Sequence, residues 1–306
     1  MRAALLDEHR DFTQAVKMKV ETDYGRWGAA RRMSVDAFLA TCDLPDGLTV
    51  IEHGVVELPM LVSNRGAPAT FVGFHAAMNP AVRRPVPFFQ GRQVAPAGLN
   101  SILLCDPSLY LHPAVTAGWF LGNREMALRE ILPRVLDHAD GLMGAKRRLL
   151  WGNSAGGTAA LAYGRAEDVT VTINPQTILS RFTRGRTRPY IRHGWAANDR
   201  DGEEAVMAAI GDLRICPPKG RIVYVQNTSD DHLDLHMRPL ADAMGMAVRD
   251  GEQGRFRVMF GDWGRGHIPP PPAQQRRIVE GEARRLLAEM GAPVGWGARV
   301  RGWLGR

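Results

Sequence analysis

The nine residues Leu149 to Gly157, Leu-Leu-Trp-Gly-Asn-Ser-Ala-Gly-Gly, constrain this chain more than any other stretch. A short apolar run stops at Gly152, a serine follows two residues later, and Gly156 and Gly157 open a small-residue stretch of helical character from Thr158 to Tyr163. Gly-x-Ser-x-Gly between a strand and a helix forms a sharp turn that lifts the serine hydroxyl above a sheet. Glycines are needed on either side because a side chain there would meet the returning helix. The helix N-terminus that follows Ser154 aims free backbone N–H groups at any oxyanion formed beside the hydroxyl.

A serine hydroxyl is a weak nucleophile until a base takes its proton, and imidazole has a pKa near working pH. A carboxylate then fixes the imidazole tautomer and stabilises the imidazolium. With a nucleophile in this kind of turn, acid and base follow it in chain order at the ends of later strands. The apolar run Arg221–Gln226 leads into Thr-Ser-Asp-Asp-His-Leu, with Asp230 as the expected acid, Asp231 as its rival and Asp262 further behind. The run Arg255–Phe260 leads into Asp-Trp-Gly-Arg-Gly-His-Ile-Pro, with His267 as the expected base. For the oxyanion, the Ala155 N–H is joined by one from the end of Thr70–His75; Ala77 is preferred, and Ala76 serves about as well. Asp230, Asp231, His232, Asp234 and His236 also have metal-ligand chemistry. They are read instead as the solvated start of a helix, so neither metal nor cofactor is expected.

Around the turn, eight β-rich runs alternate with longer amphipathic stretches: Leu48–Glu52, Val56–Val62, Thr70–His75, Ser101–Cys105, Arg148–Trp151, Val169–Ile173, Arg221–Gln226 and Arg255–Phe260. The later runs are nearly continuous in apolar residues, as parallel strands buried on both faces require. Helical spacing of apolar residues recurs over Arg124–Ala139 and from Val279 to Met290. The expectation is an α/β fold, a mostly parallel eight-stranded doubly wound sheet with helices on both faces. Residues 1–47 read as an N-terminal helical extension, 48–291 as the core, and 292–306 as a basic, Trp-containing tail. Within the core, residues 177–220 exceed an ordinary connection and read as a lid-like insertion. Its Arg184, Arg186 and Arg188 are candidate contacts for an anionic substrate.

Composition excludes several classes. The 306 residues carry a net charge of +7, but lysine occurs only at 17, 19, 146 and 219, so the excess is arginine, dispersed in pairs. No nucleic-acid module accompanies it, and nucleic acid is not an expected partner. No stretch approaches a membrane span or a signal-peptide core. Three widely spaced cysteines suggest a reducing compartment, and the expected location is cytoplasmic. Oligomeric state has no signature here.

In Gly-Asn-Ser-Ala-Gly-Gly, the acid loop at Asp230 and Gly266-His267, in that order, residues 48–291 resemble the α/β-hydrolase superfamily. The turn is similar to the Gly-Asp-Ser-Ala-Gly-Gly of hormone-sensitive-lipase-type esterases, with Asn153 for the aspartate and without their His-Gly-Gly-Gly stretch. Ile-Asn-Pro-Gln-Thr (173–177), Val-Gln-Asn-Thr (225–228) and Gly-His-Ile-Pro-Pro (266–270) give a fainter resemblance to bacterial hydrolase-like proteins of capsule and cell-surface glycan biosynthesis. Together these imply a serine hydrolase cleaving a carboxylic ester through an acyl-enzyme, on a small-molecule or glycan ester. Two alternatives stand beside it: an O-acyltransferase of surface-polysaccharide biosynthesis with the same triad, and a non-catalytic partner-binding protein.

Overall fold

Successive residues of a strand face opposite ways, and in this chain each face has its own core. Strand β6 (Arg147–Asn153) sends Leu149 and Trp151 into one apolar cluster and Leu150 into another. Strand β8 (Arg221–Asn227) divides Val223 and Val225 from Ile222 and Tyr224 in the same way. Apolar residues at both parities make the continuous runs seen in the sequence. The computed structural model describes residues 20–292 apart from 80 and 83. The first part of the expected N-terminal extension (1–19) and the tail from 293 lie outside the described residues.

The remaining strands are β1 (Ala30–Ser34), β2 (Gly47–His53), β3 (Val56–Ser63), β4 (Ala69–Phe74), β5 (Asn100–Leu104), β7 (Val169–Ile173), β9 (Gly251–Gln253) and β10 (Phe256–Gly261). They form one sheet in the order β1-β2-β3-β5-β4-β6-β7-β8-β10-β9. Strand β3 is antiparallel to both its neighbours and β9 to β10; the other pairings are parallel. Helices α1 (Val35–Leu39), α2 (Leu128–Met143) and α3 (Ala155–Tyr163) contribute to the cluster on one face. Helices α4 (Arg184–Trp195), α5 (Arg200–Ile210) and α7 (Pro272–Glu289) contribute to the cluster on the other. The short helix α6 (Arg238–Ala243) packs with β8 and β10.

The expected eight strands are all present, and two more extend the sheet to ten. One of them corrects the reading of residues 1–47 as helical: Ala30–Ser34 is a strand parallel to β2, followed by little more than one turn of helix. Both added strands, Ala-Arg-Arg-Met-Ser and Gly-Glu-Gln, lie at sheet edges and bury no residue fully. A strand that buries so little has no apolar alternation to betray it.

Register decides where the strands end. Asn153 pairs with Ile173, Ile173 with Val225, and Gly261 with Asn227. The residues that follow β6, β7, β8 and β10 therefore emerge side by side at one rim. Ser154, Asn174 to Gln176, Thr228 to His232 and Asp262 to His267 all belong to it. No helix among the described residues is long and apolar enough to cross a membrane.

Candidate active site

Ser154 has φ 53° and ψ −119°, a conformation that disfavours any residue but glycine, directly before the first residue of α3. Hydrogen bonds hold it there: its N–H donates to the Ile173 carbonyl at 2.8 Å, and its own carbonyl accepts from Thr158 at 3.1 Å. A Cβ at Gly152 would sit 2.2 Å from the Gly156 carbonyl carbon, and one at Gly156 would sit 2.3 Å from the Phe74 carbonyl oxygen. The two glycines thus let α3 fold back against both β6 and the end of β4.

Asp230 and His267 meet. The His267 Nδ1–H donates to Asp230 Oδ2 at 2.7 Å, and Asp230 Oδ1 accepts the His232 amide at 3.1 Å. The carboxylate is buried, whereas the imidazole is 39% exposed. Burial alone would raise the Asp230 pKa. The His267 hydrogen bond, the adjacent His232 and its amide outweigh it, and the group lies below the usual carboxylate value. The rival Asp231 is exposed, and its carbonyl starts the following turn by accepting from Asp234 and Leu235. Asp262 is exposed and its Oδ1 accepts the Gly264 amide at 3.2 Å.

The third expected contact is not formed. Ser154 Oγ has no hydrogen bond with His267 among the described residues; it accepts one from Gln176 Nε2 at 2.8 Å. Base-to-nucleophile hydrogen bonds are often long in free enzymes and tighten when substrate binds. The two groups share one neighbourhood all the same. Gln176 Nε2 lies 3.4 Å from His232 Nδ1, and the His232 and His267 ring centroids are 4.2 Å apart.

Two motifs without assigned chemistry build the base loop. Asn227 donates its Nδ2–H groups to the carbonyls of Gly264 and Gly266 at 2.8 and 2.6 Å, and its Oδ1 accepts the Trp263 amide at 3.3 Å. Ser229 Oγ donates to Gly264 O at 2.7 Å and accepts from Gly266 N at 3.2 Å. Asn174 joins the two loops: its Oδ1 accepts from Asn227 N at 2.8 Å, and its Nδ2 donates to Ile268 O at 3.1 Å. Its φ of 44° is the second strained backbone at this rim. The sequence signal was the polar residue ending each apolar run.

The loop after β4 separates the two oxyanion candidates. The Ala76 amide is occupied, donating to Gln90 Oε1 at 2.8 Å, whereas the Ala77 and Ala155 amides have no partner among the described residues. His75 fastens this loop, with Nε2 accepting the Asp106 amide at 3.0 Å and Nδ1–H donating to Ala76 O at 2.7 Å. That fixes the neutral tautomer, and burial lowers the pKa of this imidazole.

Arg184 and Arg188 both clasp the buried carboxylate of Glu203, at 2.7 and 3.0 Å, and so bind α4 to α5, while their side chains stay about half exposed. Burying Glu203 without those partners would cost far more than the exposed arginines lose by serving it. Arg186 is exposed on the same helix. One expectation needs correction: the segment after Asp230 is not a solvated helix face, for His232 and His236 are both buried on one turn of π-helix (Leu233–Met237) and its approach.

Asp230, His232 and His267 offer ligand atoms within 4.8 Å of one another. Tetrahedral zinc with bonds of about 2.0–2.1 Å sets its ligand atoms about 3.3–3.4 Å apart. Here Asp230 Oδ2 lies 2.7 Å from His267 Nδ1 and 3.9 Å from His232 Nδ1, so the first pair is spaced for a shared proton. Asp234 pairs with Arg238 at 2.7 Å.

No protein-family model matches the sequence, and no curated protein does. Among solved structures, the chain is similar to a capsule O-acetyltransferase of Neisseria meningitidis serogroup A at TM-score 0.55 and 14% identity, covering 82% of this chain and 99% of that one. A histidine-to-alanine mutant of that enzyme in complex with CoA aligns at 0.55 and 12%, covering 78% and 94%. An S-formylglutathione hydrolase from Agrobacterium tumefaciens aligns at 0.46 and 12%, covering 78% and 93%. The strand order, the turn at Ser154 and the likeness at TM-score 0.55 together give this chain the α/β-hydrolase fold.

Proposed function

We propose that the protein is a serine hydrolase that cleaves a carboxylic ester through an acyl-enzyme, with Ser154 as nucleophile, His267 as base and Asp230 as the carboxylate that orients it. The observation that carries this reading is the meeting of Asp230 and His267 at 2.7 Å on the rim where Ser154 is held in a strained turn before α3. His267 Nδ1–H is committed to Asp230, which leaves Nε2 as the proton acceptor. As Ser154 Oγ attacks the acyl carbon, its proton passes to His267 Nε2, and the carbonyl electron pair moves onto oxygen. The Ala155 and Ala77 N–H groups receive that oxyanion. Collapse expels the alcohol, protonated by His267, and water repeats the sequence to free the acid.

A second reading is O-acyl transfer to a glycan hydroxyl in place of water, from an activated donor. It is favoured by the likeness, at TM-score 0.55, to a capsule O-acetyltransferase. Both readings share the acyl-enzyme and predict labelling of Ser154 by a fluorophosphonate, lost in Ser154→Ala. A wild-type protein that resists labelling, with no turnover of nitrophenyl esters, refutes both and leaves a non-catalytic role. Turnover of nitrophenyl acetate or acetyl-CoA then separates them: acceleration by added oligosaccharide with an acetylated sugar as product identifies the transferase. Release of free acid at the same rate with or without sugar identifies the hydrolase.

A further inference from the structure

Gln176 is 1% exposed, and each end of its side-chain amide has a task. Its Oε1 accepts the Trp119 Nε1–H at 3.0 Å. An indole nitrogen only donates, so this bond identifies the oxygen end and turns the NH₂ group toward Ser154, where Nε2–H donates to Oγ at 2.8 Å. The backbone of Gln176 is fastened to α3 through Thr158, whose Oγ1 accepts its N–H at 3.1 Å and donates to its carbonyl at 2.8 Å.

The anchor is itself held under strain. Trp119 and Phe120 have φ values of 52° and 54°, a left-handed conformation that non-glycine residues rarely adopt. The buried Asp106 carboxylate imposes it by accepting the amides of Gly118 and Phe120, each at 2.9 Å. Two consecutive strained residues aim one indole at one amide, and that amide at the proposed nucleophile.

We propose that Gln176 is a further catalytic residue, a side-chain donor that stabilises the charge developing on Ser154 Oγ. This rests on the acyl-enzyme chemistry proposed above. During acylation the Oγ–H bond breaks, its proton goes to His267, and the electron pair left on Oγ forms the bond to the acyl carbon. During deacylation the Oγ–carbon bond breaks, the pair returns to Oγ, and His267 gives the proton back. Gln176 keeps its own protons throughout. Its N–H stabilises Oγ whenever that oxygen is electron-rich, and by filling one lone-pair direction it turns the hydroxyl proton away from itself.

The test compares Gln176→Met, which keeps the volume and removes the donor, with Gln176→Glu, by fluorophosphonate labelling of Ser154, nitrophenyl ester kinetics and thermal unfolding. Removing a donor to a developing charge costs about 10- to 100-fold or more. Gln176→Met is expected to label slower by about that factor, with kcat reduced in parallel, KM little changed and Tm lower by only a few degrees, because the buried Trp119 indole N–H loses its acceptor. In Gln176→Glu the ionised carboxylate cannot donate to Oγ, whereas its protonated form can. The ratio of its labelling rate to wild type is therefore expected to rise as pH falls from about 8 to about 5. Thermal unfolding of Gln176→Glu at each pH separates this from a merely structural glutamine, for which the labelling rate would follow only the folded fraction as the buried carboxylate ionises. A wild type that labels, with Gln176→Met equally fast or with a ratio for Gln176→Glu that is flat or follows only the folded fraction, overturns the role of Gln176 alone. A wild type that never labels overturns the acyl-enzyme reading and this role with it.

Discussion

His236 lies buried beside the site, and its protonation is tied to the stability of the fold. The side chain is fully buried on the π-turn, and neither ring nitrogen has a hydrogen-bond partner among the described residues. Its ring stands edge-on to His232 at 4.6 Å and packs against Phe182 at 6.3 Å. Burial, and then the charge of His232, push its pKa down to about 3 from the ordinary 6.5. Because the folded value is the lower one, the unfolded chain takes up this proton first as pH falls. Stability therefore begins to drop near pH 6.5 and goes on dropping until the folded pKa is reached. Integrated over that window, His236 removes about 2 kcal/mol by pH 5 but only about 0.2 kcal/mol at pH 7. His236→Leu keeps an apolar side chain of similar size and abolishes the titration. Urea unfolding of wild type and variant at pH 7, 6 and 5 measures the effect. The gap between their stabilities is expected to shift by about 2 kcal/mol in favour of the variant from pH 7 to pH 5. The neighbouring His232, lowered chiefly by burial and also by His267, titrates in both proteins and largely cancels in the comparison. Parallel pH profiles, with the gap constant to within about 0.5 kcal/mol, would refute the picture of a buried neutral imidazole.

Three further outcomes are expected. Asp230→Asn should lower kcat for ester turnover by about 10⁴-fold through loss of the imidazole tautomer, while Asp231→Asn stays near wild type; comparable losses in both would contradict the assignment. Gly156→Ala places a methyl group 2.3 Å from the Phe74 carbonyl oxygen, so it should destabilise by about 1–3 kcal/mol or more and slow Ser154 labelling. Wild-type Tm and labelling rate in that variant would mean that α3 has room to move. Arg148 is 1% exposed and bonds Asp140 and Asp137, each at 2.6 Å. Arg148→Met should cost about 3–5 kcal/mol in urea unfolding by stranding buried Asp140, and adding Asp140→Leu should recover part of it.

The chain's local patterns were enough to read the strands that bury both faces, because burial is written residue by residue into apolar runs such as Arg-Ile-Val-Tyr-Val-Gln-Asn. They also located Ser154, since the glycines at 152 and 156 answer a clash within a few residues of the serine and with the strand beside it. The order of Ser154, Asp230 and His267 followed from the strands that precede them. The edge strands stayed hidden because they bury too little to leave a periodic trace. Asp230 was already preferred to Asp231 on the sequence; the turn adds the physical difference between them, since one residue's advance swings a carboxylate from the His267 side to solvent. Arg184 and Arg188 looked like free cations until α5 brought Glu203 beneath them. Gln176, Asn174 and Asn227 act through partners tens of residues away, brought within hydrogen-bonding distance by the parallel register of β6, β7, β8 and β10. Periodicity records whether a residue is buried; which side chain it faces there is a property of the assembled sheet.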